Sequence, residues 1–366
     1  MMFELKDILI IPVVFSLSLI GLGKLNAEEA ILFRGDLART GVNVSKAVKE
    51  PVGIKWKFYA KQEIKSSPVV DKDSVYFGSY DGNLYALEKN SGKEKWHFAT
   101  GDWIHSSAAV SKGKIYFGSR SGYFYALDIK TGKETWKYNI KDWILSSPAV
   151  LNGIVYFGDG GALYALDAEN GNLKWKFHTG LAVWSSPALY EGKAYFGSHN
   201  GNFYLLNLKT GKELWRFKTG GSIENAPSIS KGIACFGSND GNFYALNAQT
   251  GEELWRFKVE KGVTTSPGIS EDMVYFGSAN GNLYALEVKS GKEKWRFSTG
   301  AWLRSSPVIV KDTVYFGGNS LFYALDSKTG KLLWAFRAGG SIFSSTAVSD
   351  GIIYFGSNDR CLYALK

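Results

Sequence analysis

The chain has 366 residues, a length for two ordinary domains or one large one. Hydrophobic residues are 45%, aromatic 15% and charged 21% of it, which excludes a disordered chain; 42 Gly without a three-residue period exclude a collagen-like one. A single apolar run, 8–23, excludes a polytopic membrane protein, and the net charge of +9 comes from lysines that recur, mixed with Glu, in one repeated turn rather than in a nucleic-acid-binding stripe.

Residues 1–27 read as a targeting segment. Ile8 to Gly23 carries no charge, and Leu25-Asn26-Ala27 offers a cleavage site that leaves Glu28 as the mature start. An uncleaved membrane anchor is the alternative, since Glu4 and Asp7 offset Lys6. No Cys follows the apolar run to take a lipid. These features predict an exported protein, periplasmic or extracellular, with membrane association only through this segment. Residues 28–51 form a lead-in to the repeated part of the chain.

From residue 52 to 366 the sequence repeats itself. Trp recurs at positions 56, 96, 136, 175, 215, 255, 295 and 334, always 39 or 40 residues apart. Tyr76, Tyr116, Tyr156, Tyr195, Cys235, Tyr275, Tyr315 and Tyr354 keep the same step, each before Phe-Gly. So does the Ser66-Ser67-Pro68 marker, with counterparts from Ser106, Ser146, Ser185, Asn225, Thr265, Ser305 and Ser344. Each unit reads as four short strands joined by Gly-containing turns: in the first, Ser67 to Val70 (A), Val75 to Gly78 (B), Leu84 to Leu87 (C) and Glu94 to Phe98 (D). No helical period is long enough for a crossover. The pattern predicts an all-β, eight-bladed β-propeller with four-stranded antiparallel blades. Kelch units are longer, and the Gly-His…Trp-Asp signature of WD40 units is missing. The eighth unit ends at Lys366 without its Trp strand, and the spare copy is Gly53 to Phe58. The N-terminal strand is therefore expected to complete the last blade and remove an open edge.

The run Ala-x-Asp-x-x-x-Gly-x-x-x-Trp stands as Ala126, Asp128, Gly132, Trp136 and as Ala165, Asp167, Gly171, Trp175. Looser copies are Ala86, Glu88, Gly92, Trp96 and Leu205, Asn207, Gly211, Trp215. This resembles the tryptophan docking motif of the quinoprotein (PQQ-type) propeller superfamily, and Phe33 to Gly41 looks like its lead-in. The resemblance implies that Trp56, Trp96, Trp136, Trp175, Trp215, Trp255, Trp295 and Trp334 dock neighbouring blades. Leu205 is expected to alter the seat of Trp215. The superfamily holds quinone-dependent dehydrogenases and BamB-type outer-membrane assembly scaffolds, and fold alone does not choose between them.

The residues favour the scaffold. The dehydrogenases resemble one another in an adjacent Cys pair over the cofactor, whereas Cys235 and Cys361 lie three blades apart, too far for a disulfide. No unit carries an insertion to roof an active site. His97, His105, His178 and His199 show no metal-ligand spacing, and the Asp-Gly-Asn runs at Asp81 and Asp240 lack the alternating carboxylates of a calcium loop. No catalytic residue, cofactor or metal is expected. A small-ligand sensor, or a residual quinone dehydrogenase, is the alternative to a protein-binding scaffold.

The repeat also separates what the blade needs from what it leaves free. Ahead of each Ser-Ser marker comes an aliphatic residue, as at Ile64, Ile104 and Leu303, read here as a plug in the channel. Next comes a variable one: Lys65, His105, Leu145, Trp184, Glu224, Thr264, Arg304, Phe343. The B–C turn on the same face varies too, as at Tyr80 and Arg120, while the opposite face repeats Thr-Gly-Lys. Trp103, Trp143 and Trp302 occupy equivalent loop positions that docking does not require, and Trp184 lies two places later in its own loop. Aromatics and Arg carry much interface energy. A protein-partner site is therefore expected on this face at Trp103, His105, Arg120, Trp143, Trp184, Trp302 and Arg304, with a structural cap over the loops as the alternative.

Overall fold

A computed structural model describes residues 30–50 and 53–366. The targeting segment 1–27 lies outside the described residues. Eight sheets form the eight-bladed propeller, each blade an antiparallel A–B–C–D meander. In blade one the strands are Val69–Val70, Ser74–Gly78, Asn83–Glu88 and Glu94–Ala99. Strands B and C are buried almost throughout because both faces are covered by neighbouring blades; strand D alternates half-buried and exposed, since it is the outer edge. Blade eight comprises Ala347–Ser349, Ile352–Gly356, Cys361–Leu365 and, from the other end of the chain, Ile54–Tyr59. Trp56 pairs with Ala364, and Gly53 and Lys366 exchange two backbone hydrogen bonds of 3.1 and 3.0 Å. The ring is closed by the N-terminal strand.

The docking motif works through a shape match. The Trp56 indole lies over Gly92 of the next blade, where an added Cβ would stand 2.6 Å from the ring. Gly92 also has φ +71°, a backbone region that glycine adopts without penalty. Trp56 Nε1 then donates to the carbonyl of Lys89 at 3.0 Å, and the same bond recurs from Trp96 to Ile129 and from Trp175 to Leu208. Each indole thus covers apolar surface while its one polar atom is satisfied.

The Ser-Ser marker performs two tasks at the inner end of each blade. The first hydroxyl closes the blade on itself: Ser66 Oγ donates to the Gly78 carbonyl at 2.8 Å and accepts from Gly78 N at 2.7 Å. The second links blades: Ser67 N donates to Ser107 Oγ, Ser107 N to Ser147 Oγ, and onward until Ser345 N reaches Ser67 Oγ at 2.9 Å. The junction of blades four and five breaks this series, because Ala226 has no hydroxyl to offer Ser186.

Two features differ from the sequence reading. The aliphatic residues before the marker do not plug the channel. They are fully buried between blades, and Ile104 packs on Gly78, where an added Cβ would stand 2.2 Å from Ile104 Cγ2. The channel is instead crossed at its A–B end by the lead-in. Ile31 bridges to Val110, Leu37 and Ala38 accept from Leu189 and Ile229, and Val42–Asn43 adds a fifth, parallel strand to blade seven. Arg39 fastens this segment: its guanidinium donates to the carbonyls of Phe33, Ser147, Pro148 and Pro187 at 2.6–3.1 Å. Arg39 is fully buried, and desolvation pulls its pKa down to about 9 against the raising influence of Asp36.

Candidate binding site

Strand A runs away from the variable residue that precedes it, so all eight variable residues point to one mouth of the channel. Lys65, His105, Leu145, Trp184, Glu224, Thr264, Arg304 and Phe343 line a single funnel of about 270 Å³, joined by Tyr80, Asn225, Asn239 and Trp302. His105, Trp184, Trp302 and Arg304 of the expected site are therefore part of its wall. Trp103, Arg120 and Trp143 are not; they stand beside it on the rim.

The rim residues are connected by ring contacts. The Arg120 guanidinium lies between two indoles, 3.9 Å from the Trp143 centroid and 4.6 Å from that of Trp103. The other side of Trp103 stacks on Tyr80 at 4.5 Å with an interplanar angle of 10°. Lys65 Nζ sits 4.4 Å over Tyr80 and 5.7 Å from Phe343. Arg304 lies 5.3 Å from Phe343 and 3.9 Å over Trp302. An unbroken cation–aromatic ladder therefore runs from blade three through blades two, one and eight to blade seven. Trp103, Trp143 and Trp302 remain 44%, 45% and 49% exposed, so each still presents apolar surface outward.

The opposite arc has a different character. Trp184 meets His199 edge to face at 4.1 Å, outside the ladder. Glu224 accepts from Asn239 Nδ2 at 2.7 Å and from Ser222 Oγ at 3.1 Å. Its carboxylate is thus held within its own blade, with His199 Nε2 of blade four 3.8 Å away. Between the arcs stands His105, whose pKa is pushed down to about 4 by burial first and then by Lys65 and Arg304. Tyr80 is pushed up to about 12, by burial and Glu63, while Arg304 and Arg120 act on it from the other direction. Both guanidiniums are within electrostatic reach of one phenol.

Sequence reasoning omitted Tyr80, Lys65 and Phe343 from the site. The signal was present, because all three vary between units whose neighbours stay fixed. They lack the Trp and Arg identities that drew attention to the others. A larger cleft of about 820 Å³ flanks the lead-in between blades three and four, lined by Leu37, Tyr156 and Leu189 among others.

The funnel does not fit a quinone with calcium. Among the described residues that line it Glu224 is the one carboxylate, and that group is held by Asn239 and Ser222. Cys235 and Cys361 are both buried and free, in separate blades; burial raises both thiols, that of Cys361 to about 12. Among the described residues no group of three or more His, Cys, Asp or Glu side chains is placed to hold a metal ion.

The sequence profile of the family described as outer membrane protein assembly factor BamB matches residues 40–102, 99–230, 204–321 and 303–366, nearly the whole propeller. The chain belongs to this BamB family of PQQ-like propellers. Solved structures agree on the fold. BamB from Moraxella catarrhalis is 18% identical, with a TM-score of 0.76 over 86% of this chain and 100% of that one. The quinohemoprotein alcohol dehydrogenase of Comamonas testosteroni is 15% identical, with a TM-score of 0.81 over 91% and 80%. The computationally designed Ika8 protein is 19% identical, with a TM-score of 0.75 over 84% and 96%. These identities carry the architecture alone. A comparison with curated proteins finds no match.

Proposed function

We propose that the chain is an exported, non-catalytic scaffold that binds a protein partner in the cell envelope through its D–A/B–C face. The observation that carries this reading is the ladder itself. Blade docking and ring closure need none of its members, yet it holds three half-exposed indoles and three cations in one continuous surface. Such aromatic and Arg anchors supply most of the energy at protein interfaces. Membership of the BamB family supports a role in envelope assembly. The funnel is smaller than the about 300–1,000 Å³ of pockets that enclose small molecules, which favours a protein partner over a small ligand.

The test is a double substitution, Trp103→Ala with Trp302→Ala, in the full chain. Partner capture from envelope extract by chemical cross-linking should be lost while circular dichroism and melting temperature stay near wild type. A double variant that captures partner at the wild-type level removes this face as the binding site.

A further inference from the structure

Among the described residues, two of the three cations in the ladder have no anion. Lys65 pairs with Glu63 at 2.7 Å. Among the described residues, Arg120 and Arg304 meet neither a carboxylate nor a hydrogen-bond acceptor through their guanidiniums; each is held by aromatic faces alone. A guanidinium packed on aromatic rings keeps its five N–H donors available along its edge. A group held in this way loses little freedom when a carboxylate docks against it with two parallel hydrogen bonds.

The surroundings of the two groups narrow the ligand further. They stand on either side of Tyr80 and Lys65, so an occupant spanning both must cross aromatic surface. The facing arc offers Glu224 and amides, not further cations. A polyphosphate chain needs a continuous cationic track, and this rim places Asp102 and Asp142 directly beside Trp103 and Trp143.

We propose that the ladder is a receptor for an acidic–aromatic peptide segment of the partner, with one carboxylate on Arg120, another on Arg304, and apolar side chains laid on Trp103, Trp143 and Trp302. This rests on the binding face proposed above and adds the chemistry of what it binds. The inner wall fits the same occupant, because Arg304 stands in it on the faces of Trp302 and Phe343 with its charge unpaired, while Lys65 is already engaged by Glu63.

The probe is a short fluorescein-labelled peptide of alternating Glu and Phe, read by fluorescence anisotropy against its Gln/Phe counterpart at low and at moderate salt. The acidic peptide is expected to bind about tenfold or more tightly than the amide form, with the difference shrinking as salt rises. Arg120→Gln with Arg304→Gln should erase that preference. Arg120→Lys with Arg304→Lys should retain part of it, since charge survives and the planar fork does not. Glu169→Gln, in a C–D turn of the opposite face where it pairs with Lys114, should leave it intact. Oligo-dT and anionic phosphatidylglycerol vesicles form the other arms. Equal affinity for either, relative to the acidic peptide, overturns a peptide receptor in favour of a general polyanion surface. If the acidic and amide peptides bind alike while Trp103→Ala with Trp302→Ala still abolishes partner capture, the binding face stands and its acidic specificity falls. If partner capture survives that double substitution, the face itself falls.

Discussion

Trp334 Nε1 donates to the carbonyl of Val48 at 2.9 Å, across 286 residues of sequence. In the earlier blades the acceptor belongs to the C–D turn of the next unit, as Trp295 donates to Ser327. Blade eight has no such turn, because its D strand arrives from the N-terminus. The lead-in supplies the missing carbonyl, and Tyr315 secures it by accepting from Val48 N at 2.6 Å. The segment ahead of Ile54–Tyr59 therefore acts as the eighth docking seat as well as the cover of the channel.

Deleting residues 28–60 should remove strand D of blade eight, the seat of Trp334 and the Arg39 anchor together. Blade eight would keep three strands and present an open edge. Aggregation on gel filtration, or a large fall in melting temperature, is the expected outcome. A truncated chain that remains monomeric with an unchanged melting temperature would show that closure does not depend on this segment.

The docking Trp residues should not be equivalent. Trp334 is 4% exposed, and Trp334→Ala should cost about 3–5 kcal/mol, the range for truncating a buried Trp or Phe. Trp215 should cost less, by more than about 1 kcal/mol. It pairs with Leu205, where the neighbouring strands have Ala, and its plane makes 67° with Tyr195, against 45° for Trp175 with Tyr156. Its Nε1 reaches Gln249 in an exposed hydrogen bond. Urea denaturation of the two variants ranks them directly, and equal losses would contradict the altered seat.

The blade count, the exchanged strand and the displaced Trp215 were all legible in the sequence, because each follows from a repeat and a departure from it. Lys65 to Phe343 were legible in the same way, as the positions the blade leaves free. The route of the lead-in was not. Arg34 and Arg39 occur once each outside the repeat, and nothing in their spacing says that guanidiniums will be buried against the carbonyls of Pro148, Pro187 and Pro267. The aliphatic residues were misplaced for a related reason. Their constancy indicated burial, but only the glycine at the end of strand B shows where each one packs.

Ala226→Ser should stabilise the protein. The position is buried at the break in the inter-blade series, opposite Ser186 N, and a hydroxyl there would reproduce the bond that Ser107 makes to Ser67 N at 3.0 Å. A gain of about 0.5–1.5 kcal/mol is expected, the usual net value of one such bond. Chemical denaturation checks it, and a loss of stability would mean that the added oxygen finds no donor.

Stability should fall on acidification between about pH 6.5 and 4 through His105. Its folded pKa of about 4 lies below the ordinary 6.5, so in this window the unfolded chain binds more protons than the folded one. Below both values the two states bind equally and this contribution levels off. His105→Asn should flatten the slope of melting temperature against pH in that window. An unchanged slope would place the titration elsewhere.

Partner binding at the funnel end of the channel, rather than at the end with the repeated turns, is the central claim. A photo-reactive amino acid placed at Leu145, in the funnel wall, and separately at Lys209, in a C–D turn of the opposite face, reads this directly in envelope extract. Cross-links to one protein from position 145 and none from 209 are the predicted result. Cross-links from 209 alone would place the partner on the repeated face and contradict it.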